Sequence, residues 1–331
     1  MIVLGSWRTL ATFIAGILVG CSPTNFAVPG VGMPAAVVKN RQAINRCCRD
    51  TSGLTFVGQW WAQSISGYVS KNKRDLGPVC NTPLVREAEG ISTDSSGNLY
   101  VAGDFATVSG AEEFRPNCGA LVQTFAYAGG NPEDPVPDGK RVYLSIVARG
   151  PMLPGAIEVF NTTTGKRIGQ LIDPDVGVGV GVAVDAHHNL FWSTTNWWTG
   201  GGQVIEFRNG HMPGVLLKAT TIGSDFPGGV TIDSAANLLL IDQNSAQILI
   251  FAPPYNSSPF KKIQMKGAAW YCALNEPTTQ LYCLNYTNAA VDAYSYPNGK
   301  YLYSYDNGIV GDQGPVGIAV QPKFDGLRSK Q

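Results

Sequence analysis

The chain has 331 residues, its 24 Lys and Arg are matched by 24 Asp and Glu, and only 15% of its residues are charged. That balance excludes the clustered basic surface of a nucleic-acid binder and the charge run of an acidic disordered tail. With 39 Gly, 21 Pro and 10% aromatic residues, the composition is poor for helices. It suits many short strands joined by tight turns, an all-β fold long enough to bury its own core.

In chain order, residues 1–20 stand apart from the rest. Arg8 precedes an apolar run from Leu10 to Gly20, the length of a signal-peptide core and short of the roughly 20 apolar residues of a spanning helix. The run ends in Leu18-Val19-Gly20-Cys21, which resembles the lipobox of bacterial lipoproteins. That resemblance implies cleavage before Cys21, acylation of its thiol and a membrane anchor in the cell envelope. Ser22 follows, where an Asp would favour inner-membrane retention, so the outer membrane is favoured. The competing reading is an uncleaved anchor or a plain secretory signal with a coincidental cysteine. Residues 21–50, with Pro23, Pro29, Gly30 and Pro34 ahead of a basic stretch from Lys39 to Arg49, read as a tether. Residues 51–331 read as one folded domain. Six cysteines follow Cys21; an oxidising envelope invites pairing, and partners for Cys47, Cys48, Cys80 and Cys118 stay open.

The folded part is repetitive. Leu54–Val57 and Ile65–Val69 predict a second and a third strand with no first strand before them. Gly90-Ile-Ser-Thr-Asp94 with Asn98-Leu-Tyr-Val101, Gly181-Val-Ala-Val-Asp185 with Asn189-Leu-Phe-Trp192, and Gly229-Val-Thr-Ile-Asp233 with Asn237-Leu-Leu-Leu240 align without gaps. Each is a strand, an Asp-x-x-x-Asn turn and a second strand. A looser copy starts at Tyr271, and Gly317–Val320 is a first strand with no second after it. Starts 48, 42 and 46 residues apart from Gly181 onward, and 91 between Gly90 and Gly181, leave room for one more unit, visible in Gly139–Ser145 and Gly155–Phe160. Third strands are predicted over Ala120–Phe125, Ala156–Phe160, Gln203–Phe207, Gln247–Phe251 and Ala290–Tyr294, and outer strands over Lys261–Met265 and Lys300–Tyr305. Four strands in about 45 residues make a propeller blade. The half-blades at the two ends complete a sixth, closing the ring through the C-terminal strand.

The motif Gly-(Ile/Val)-x-x-Asp, a short turn, Asn-Leu-aromatic and a third strand ending in Phe resembles NHL-repeat and SMP-30-like six-bladed propellers over about 280 residues. Folds of this kind carry lyases, lactonases, receptors and scaffolds. The resemblance implies that loops before first strands and after second strands share the face that carries the site. His187, His188 and His211 fall on the opposite face, which leaves no base for a streptogramin-lyase-type reaction. Glu89, just before a first strand, resembles the metal-binding Glu of SMP-30-like lactonases. A divalent cation such as calcium would need further ligands, for which Asp104, Asp242 and Asp312 are the options. The matching positions Val180, Gly228, Trp270 and Val316 supply none, and the bland alternative is a carboxylate held by backbone amides or by Arg86. Gly177–Gly181 lacks the ending of a phosphate loop and places backbone close to the channel. Trp60-Trp61 and Trp197-Trp198 follow second strands on opposite blades. With Gln59, Asn196, Asn285 and Tyr286 nearby, they either stack against a ligand or pack between blades. Cys272 and Cys283 face each other across a predicted hairpin, as a disulfide or as two buried thiols. No cofactor is expected. The reading is a membrane-anchored, monomeric binding or scaffold propeller for a protein, peptide or glycan, with a metal-dependent hydrolase or lyase as the alternative.

Overall fold

The computed structural model describes residues 54–321, apart from 61–63, 70–73, 81–84, 106–108, 117–118, 150–152, 224, 277, 307–308 and 310–314. The lipobox, the tether, Cys118, Trp61 and Asp312 lie outside the described residues.

The described strands form six four-stranded antiparallel sheets in a ring, a six-bladed β-propeller. β1 (Leu54–Gln59), β2 (Ser64–Val69) and β3 (Arg74–Cys80) belong to the blade that closes the ring. Blade 1 holds β4 (Val85–Thr93), β5 (Leu99–Phe105), β6 (Ser109–Phe114) and β7 (Leu121–Ala126). Blade 2 holds β8 (Pro132–Asp138), β9 (Arg141–Ile146), β10 (Ala156–Asn161) and β11 (Arg167–Leu171). Blade 3 holds β12 (Val176–Val184), β13 (Leu190–Asn196), β14 (Gly202–Phe207) and β15 (Val215–Leu216). Blade 4 holds β16 (Pro227–Ile232), β17 (Leu238–Asp242), β18 (Gln247–Phe251) and β19 (Lys261–Gln264). Blade 5 holds β20 (Ala269–Leu274), β21 (Gln280–Asn285), β22 (Ala290–Ser295) and β23 (Tyr301–Tyr305). β24 (Pro315–Gln321) then pairs with β1 from Leu54↔Gln321 to Gln59↔Pro315 and completes blade 6.

Two strands depart from the sequence expectation. Ala120–Phe125 supplies the outer strand β7 and not the third strand of blade 1, which is β6. Adjacent carboxylates in Ser109–Phe114 disguise that strand as a loop, yet Glu112 and Glu113 are both buried. The first strand of blade 2 is β8, whose Pro132, Pro135 and Pro137 read against a strand. It tolerates them because it is the innermost strand of its sheet and pairs only with β9; proline is confined to such edges.

The repeated turn has one geometry in three blades. Oδ1 of Asp94, Asp185 and Asp233 accepts from the backbone N–H two and four residues on, at 2.7–2.9 Å. Oδ2 accepts from the side-chain amide of Asn98, Asn189 and Asn237 at 2.8–2.9 Å. The residue before each Asn has positive φ, Gly97 at 81°, His188 at 63° and Ala236 at 60°. A carboxylate that ties down three donors compensates for a left-handed residue with a Cβ. His187 and His188 are exposed on this turn and His211 on another.

Between blades, side chains that alternate outward from adjacent sheets bury one another. Trp192 is fully buried, and its Nε1 donates to Ser145 Oγ of blade 2 at 2.9 Å, so the indole loses no hydrogen bond on burial. Phe125 meets Phe160 across the blade 1–2 boundary at 5.9 Å, and Tyr68 meets Tyr305 across the blade 5–6 boundary at 4.8 Å. Cys272 and Cys283 are paired in register across β20 and β21, 4.1 Å apart at Cα, and joined as a disulfide.

Truncation after residue 312 removes β24, exposes the inner edge of β1 and takes Ile318 and Ala319 out of the core. The expected result is a loss of at least about 3 kcal/mol of stability, with blade 6 cleaved first. Thermal unfolding followed by circular dichroism, with limited proteolysis, checks this; an unchanged midpoint contradicts the role given to β24.

Candidate functional site

The six innermost strands surround the axis, and each is interrupted by a β-bulge at the same level. Pairing skips Glu89-Gly90 in blade 1, Glu133 in blade 2, Val180-Gly181 in blade 3, Gly228-Gly229 in blade 4, Trp270-Tyr271 in blade 5 and Val316 in blade 6. A bulge leaves a residue out of the ladder and re-aims its side chain. In blades 1, 2 and 5 the residues so released include Glu89, Glu133, Trp270 and Tyr271.

The repeat's glycine position shows what the axis accommodates. It is Gly90, Gly181, Gly229 and Gly317 in four blades, Asp134 in blade 2 and Tyr271 in blade 5. A Cβ on Gly229 would lie 2.4 Å from Cδ1 of Tyr271, and one on Gly90 would lie 2.4 Å from the Glu133 carbonyl oxygen. Gly229 and Gly181 make room for one large ring. Tyr271 uses that room to cross the channel, and its hydroxyl donates to Glu133 Oε1 at 3.0 Å. Blades 2 and 5 are opposite each other, so this bond spans the axis.

Glu133 and Asp134 share the centre with Glu89. Asp134 is buried, and its Oδ2 accepts from the backbone N–H of Val182 in the next blade at 2.9 Å. Burial pushes the Glu89 carboxyl well above the carboxylate range, and repulsion from Glu133, Glu87 and Asp104 adds to it. Burial raises Glu133 to about 7, although the Tyr271 hydroxyl works in the opposite direction. Asp134 also rises through burial; the Val182 amide opposes that shift and Glu133 reinforces it. The Tyr271 hydroxyl is held protonated by burial and by the carboxylates it faces. The centre of the ring is therefore a proton-holding acidic cluster capped by a tyrosine.

Around the mouth runs an arc of aromatic side chains. Trp197 and Trp198, in the loop between β13 and β14, are exposed by 39% and 73%. That loop packs on the chain entering blade 4, where the Gly202 N–H donates to the Asp225 carbonyl at 2.9 Å. The next residue, Phe226, meets the Trp270 ring edge-on at 5.8 Å, and Trp270 meets Tyr286 at 6.2 Å. Tyr286 is itself 40% exposed. Trp60 is half-buried at the end of β1.

Of the metal-ligand set expected from the sequence, Asp312 lies outside the described residues, and Glu89, Asp104 and Asp242 do not come together as a metal site. Among the described residues no three His, Cys, Asp or Glu side chains are arranged to hold a metal ion. Asp242 accepts from the hydroxyl and backbone N–H of Ser245 in its own turn, and Asp104 accepts from the Ser109 hydroxyl. Only Asp104 comes near Glu89, and it does so as a repelling charge. The residue that does join Glu89 is Glu133. It escapes a motif search because blade 2 has Asp134 where four of the blades have glycine. Aligning Asp134-Pro-Val-Pro-Asp138 with Gly181-Val-Ala-Val-Asp185 recovers it one position earlier. The face expected to carry the site is the one that bears Trp197, Trp198 and Tyr286, and Phe226 and Trp270 extend it inward.

No protein-family model matches the chain, and no curated protein matches it. Solved structures do. The chain is similar to one in the crystal structure of a nidogen/laminin complex, with a TM-score of 0.64 and 14% identity over 82% of this chain and 98% of that one. It is also similar to a protein of unknown function from Bacteroides caccae, with a TM-score of 0.59 and 13% identity over 82% and 99%. At these identities the likeness is one of fold.

A carboxyl whose folded pKa is raised holds its proton in the folded chain after it would have lost it in the unfolded one. Its contribution to stability therefore falls as pH rises from about 4.5 to about 7. Glu133→Gln removes that contribution, and its amide oxygen still accepts from Tyr271. The thermal midpoint of the variant should gain on that of the native chain across this pH window. A difference between the two that stays flat with pH contradicts a protonated Glu133.

Proposed function

We propose that the ring is a binding module, carried outside the cytoplasm on a lipidated Cys21, and that its ligand is a protein, peptide or glycan. The observation that carries this reading is the exposure of Trp197 and Trp198 on the face where the aromatic arc leads to the channel mouth. Large aromatic surface left in water on a chain that buries Trp192, Phe207 and Phe251 completely is what a binding patch needs. The loop holds those indoles in place: Asn196 Oδ1 accepts from the backbone N–H groups of Trp198 and Thr199 at 3.0 and 2.9 Å. A preorganised loop loses less entropy when a ligand arrives. A similarly folded chain in a nidogen/laminin complex is consistent with a propeller that works by engaging a partner. The lipobox-like Leu18–Cys21 supports a membrane anchor and an envelope location.

The binding half is tested by presenting the full-length chain, in detergent, to glycan and peptide arrays alongside Trp197→Ala and Trp198→Ala. Retention by the native chain and a loss of about tenfold or more in each variant is the expected result, as for aromatic hot spots. Equal retention by the variants, or none by the native chain, contradicts it. The anchoring half is tested by expression in a Gram-negative host: Cys21→Ala should move the chain from the membrane fraction to the soluble one.

A further inference from the structure

Trp270 occupies the bulge position that Glu89 and Glu133 occupy in their blades, and its ring sits between Phe226 and Tyr286. The mouth of the channel thus has an aromatic wall on the blade 4–5 side and carboxyl groups on the blade 1–2 side. The acidic groups are Glu87 and Glu89 from β4, Asp104 from β5, and Glu133 and Asp134 from β8. Tyr271 from β20 and Tyr286 after β21 are titratable groups there as well. The corresponding positions of β12, β16 and β24 are Val180, Gly228 and Val316, which carry no charge. Among the described residues no Lys, Arg or His acts on Glu89, Glu133 or Asp134. Arg167, His188 and Arg208 pair elsewhere, with Glu158, Asp138 and Glu206.

We infer that the aromatic wall at the mouth receives a cationic side chain, the ammonium of Lys or the guanidinium of Arg, from a partner polypeptide, with Glu89 and Glu133 facing it. This rests on the reading of the Trp-bearing face as the binding face and names what it selects. A π face attracts a cation, more so where water is partly excluded. Glu89, Glu133 and Asp134, on which no cation of the described residues acts, favour positive charge over a neutral ligand. A neutral sugar could hydrogen-bond the carboxyls through its hydroxyls, but it carries no charge for them to attract. A cation also reverses the condition that keeps the carboxyls protonated, so its arrival expels protons. Affinity therefore rises as pH is raised toward neutrality, in the opposite sense to the stability trend.

The test uses the full-length chain on peptide arrays that carry a single Arg or Lys in a neutral background. Each sequence is repeated with citrulline for Arg and norleucine for Lys, and a glycan array is run beside them. Expected are retention of Arg or Lys peptides, a loss of at least tenfold on the neutral replacements, weakening by added salt, and tighter binding at pH 7.5 than at pH 5.5. Glu89→Gln should lose the preference for Arg over citrulline while still unfolding in one cooperative thermal transition. Retention of citrulline and Arg peptides alike, or of glycans or neutral peptides through Trp197 and Trp198, overturns the cationic selectivity and leaves the binding face standing. Retention of nothing on any array removes the binding face and this inference with it.

Discussion

Six twisted sheets set around an axis leave one seam, and the pairing of β24 with β1 closes it. The two strands are separated by more than 250 residues of chain, so none of the ring's geometry is local. Each blade contributes its innermost strand to the channel wall, and those strands keep their spacing only while the ring is closed. The same pairing removes the exposed inner edge of β1, which would otherwise present a ladder of unsatisfied backbone groups. Thr93 Oγ1 donates to the Val320 carbonyl at 3.2 Å, and Gln321 Nε2 donates to the Gly97 carbonyl at 3.1 Å. The closing strand is thereby tied to blade 1 as well as to blade 6.

Closure is what makes the acidic centre possible. Glu89 and Glu133 come from neighbouring blades, and Tyr271 reaches Glu133 from across the ring. In an open arc these groups would be solvated, and their carboxyls would titrate in the ordinary range. In the ring they are surrounded by protein, and burial outweighs the single hydroxyl donor that Glu133 accepts from. The glycines are part of the same arrangement. With a Cβ at Gly229, the Tyr271 ring could not lie where it does, and the channel would lose its crossing residue.

The architecture was legible in the sequence because it is periodic. Asp94, Asp185 and Asp233, each followed four residues on by Asn, mark turns whose hydrogen bonds are the same in the folded chain, and complementary half-blades at the ends pointed to closure. What was not legible was the place where the period breaks. Blade 2 substitutes Asp134 for glycine and fills its first strand with prolines, so neither the strand nor Glu133 stands out. The third strand of blade 1 carries Glu112 and Glu113 where a hydrophobic residue is expected. Burial lifts Glu112 to about 7, so that carboxyl keeps its proton to a much higher pH than an exposed one. The metal reading of Glu89 rested on its position alone. Position could not show that Asp104 and Asp242 are engaged by Ser109 and Ser245 in their own turns.

These departures from the repeat are concentrated around one point, and that concentration is informative. A propeller needs only small residues at its axis to close; Gly181, Gly229 and Gly317 meet that need. Asp134, Glu133, Tyr271 and Trp270 exceed it, and three of them place polar or ionisable groups where burial is unfavourable. Each is adjacent to a bulge, a feature that re-aims side chains and adds nothing to pairing. Apart from Glu112 and Glu113 in β6, the breaks in the repeat fall together at the mouth of the channel, where packing alone does not call for them. The aromatic side chains from Trp198 to Tyr286 lie toward that same mouth, so apolar rings and acidic groups share one end of the ring.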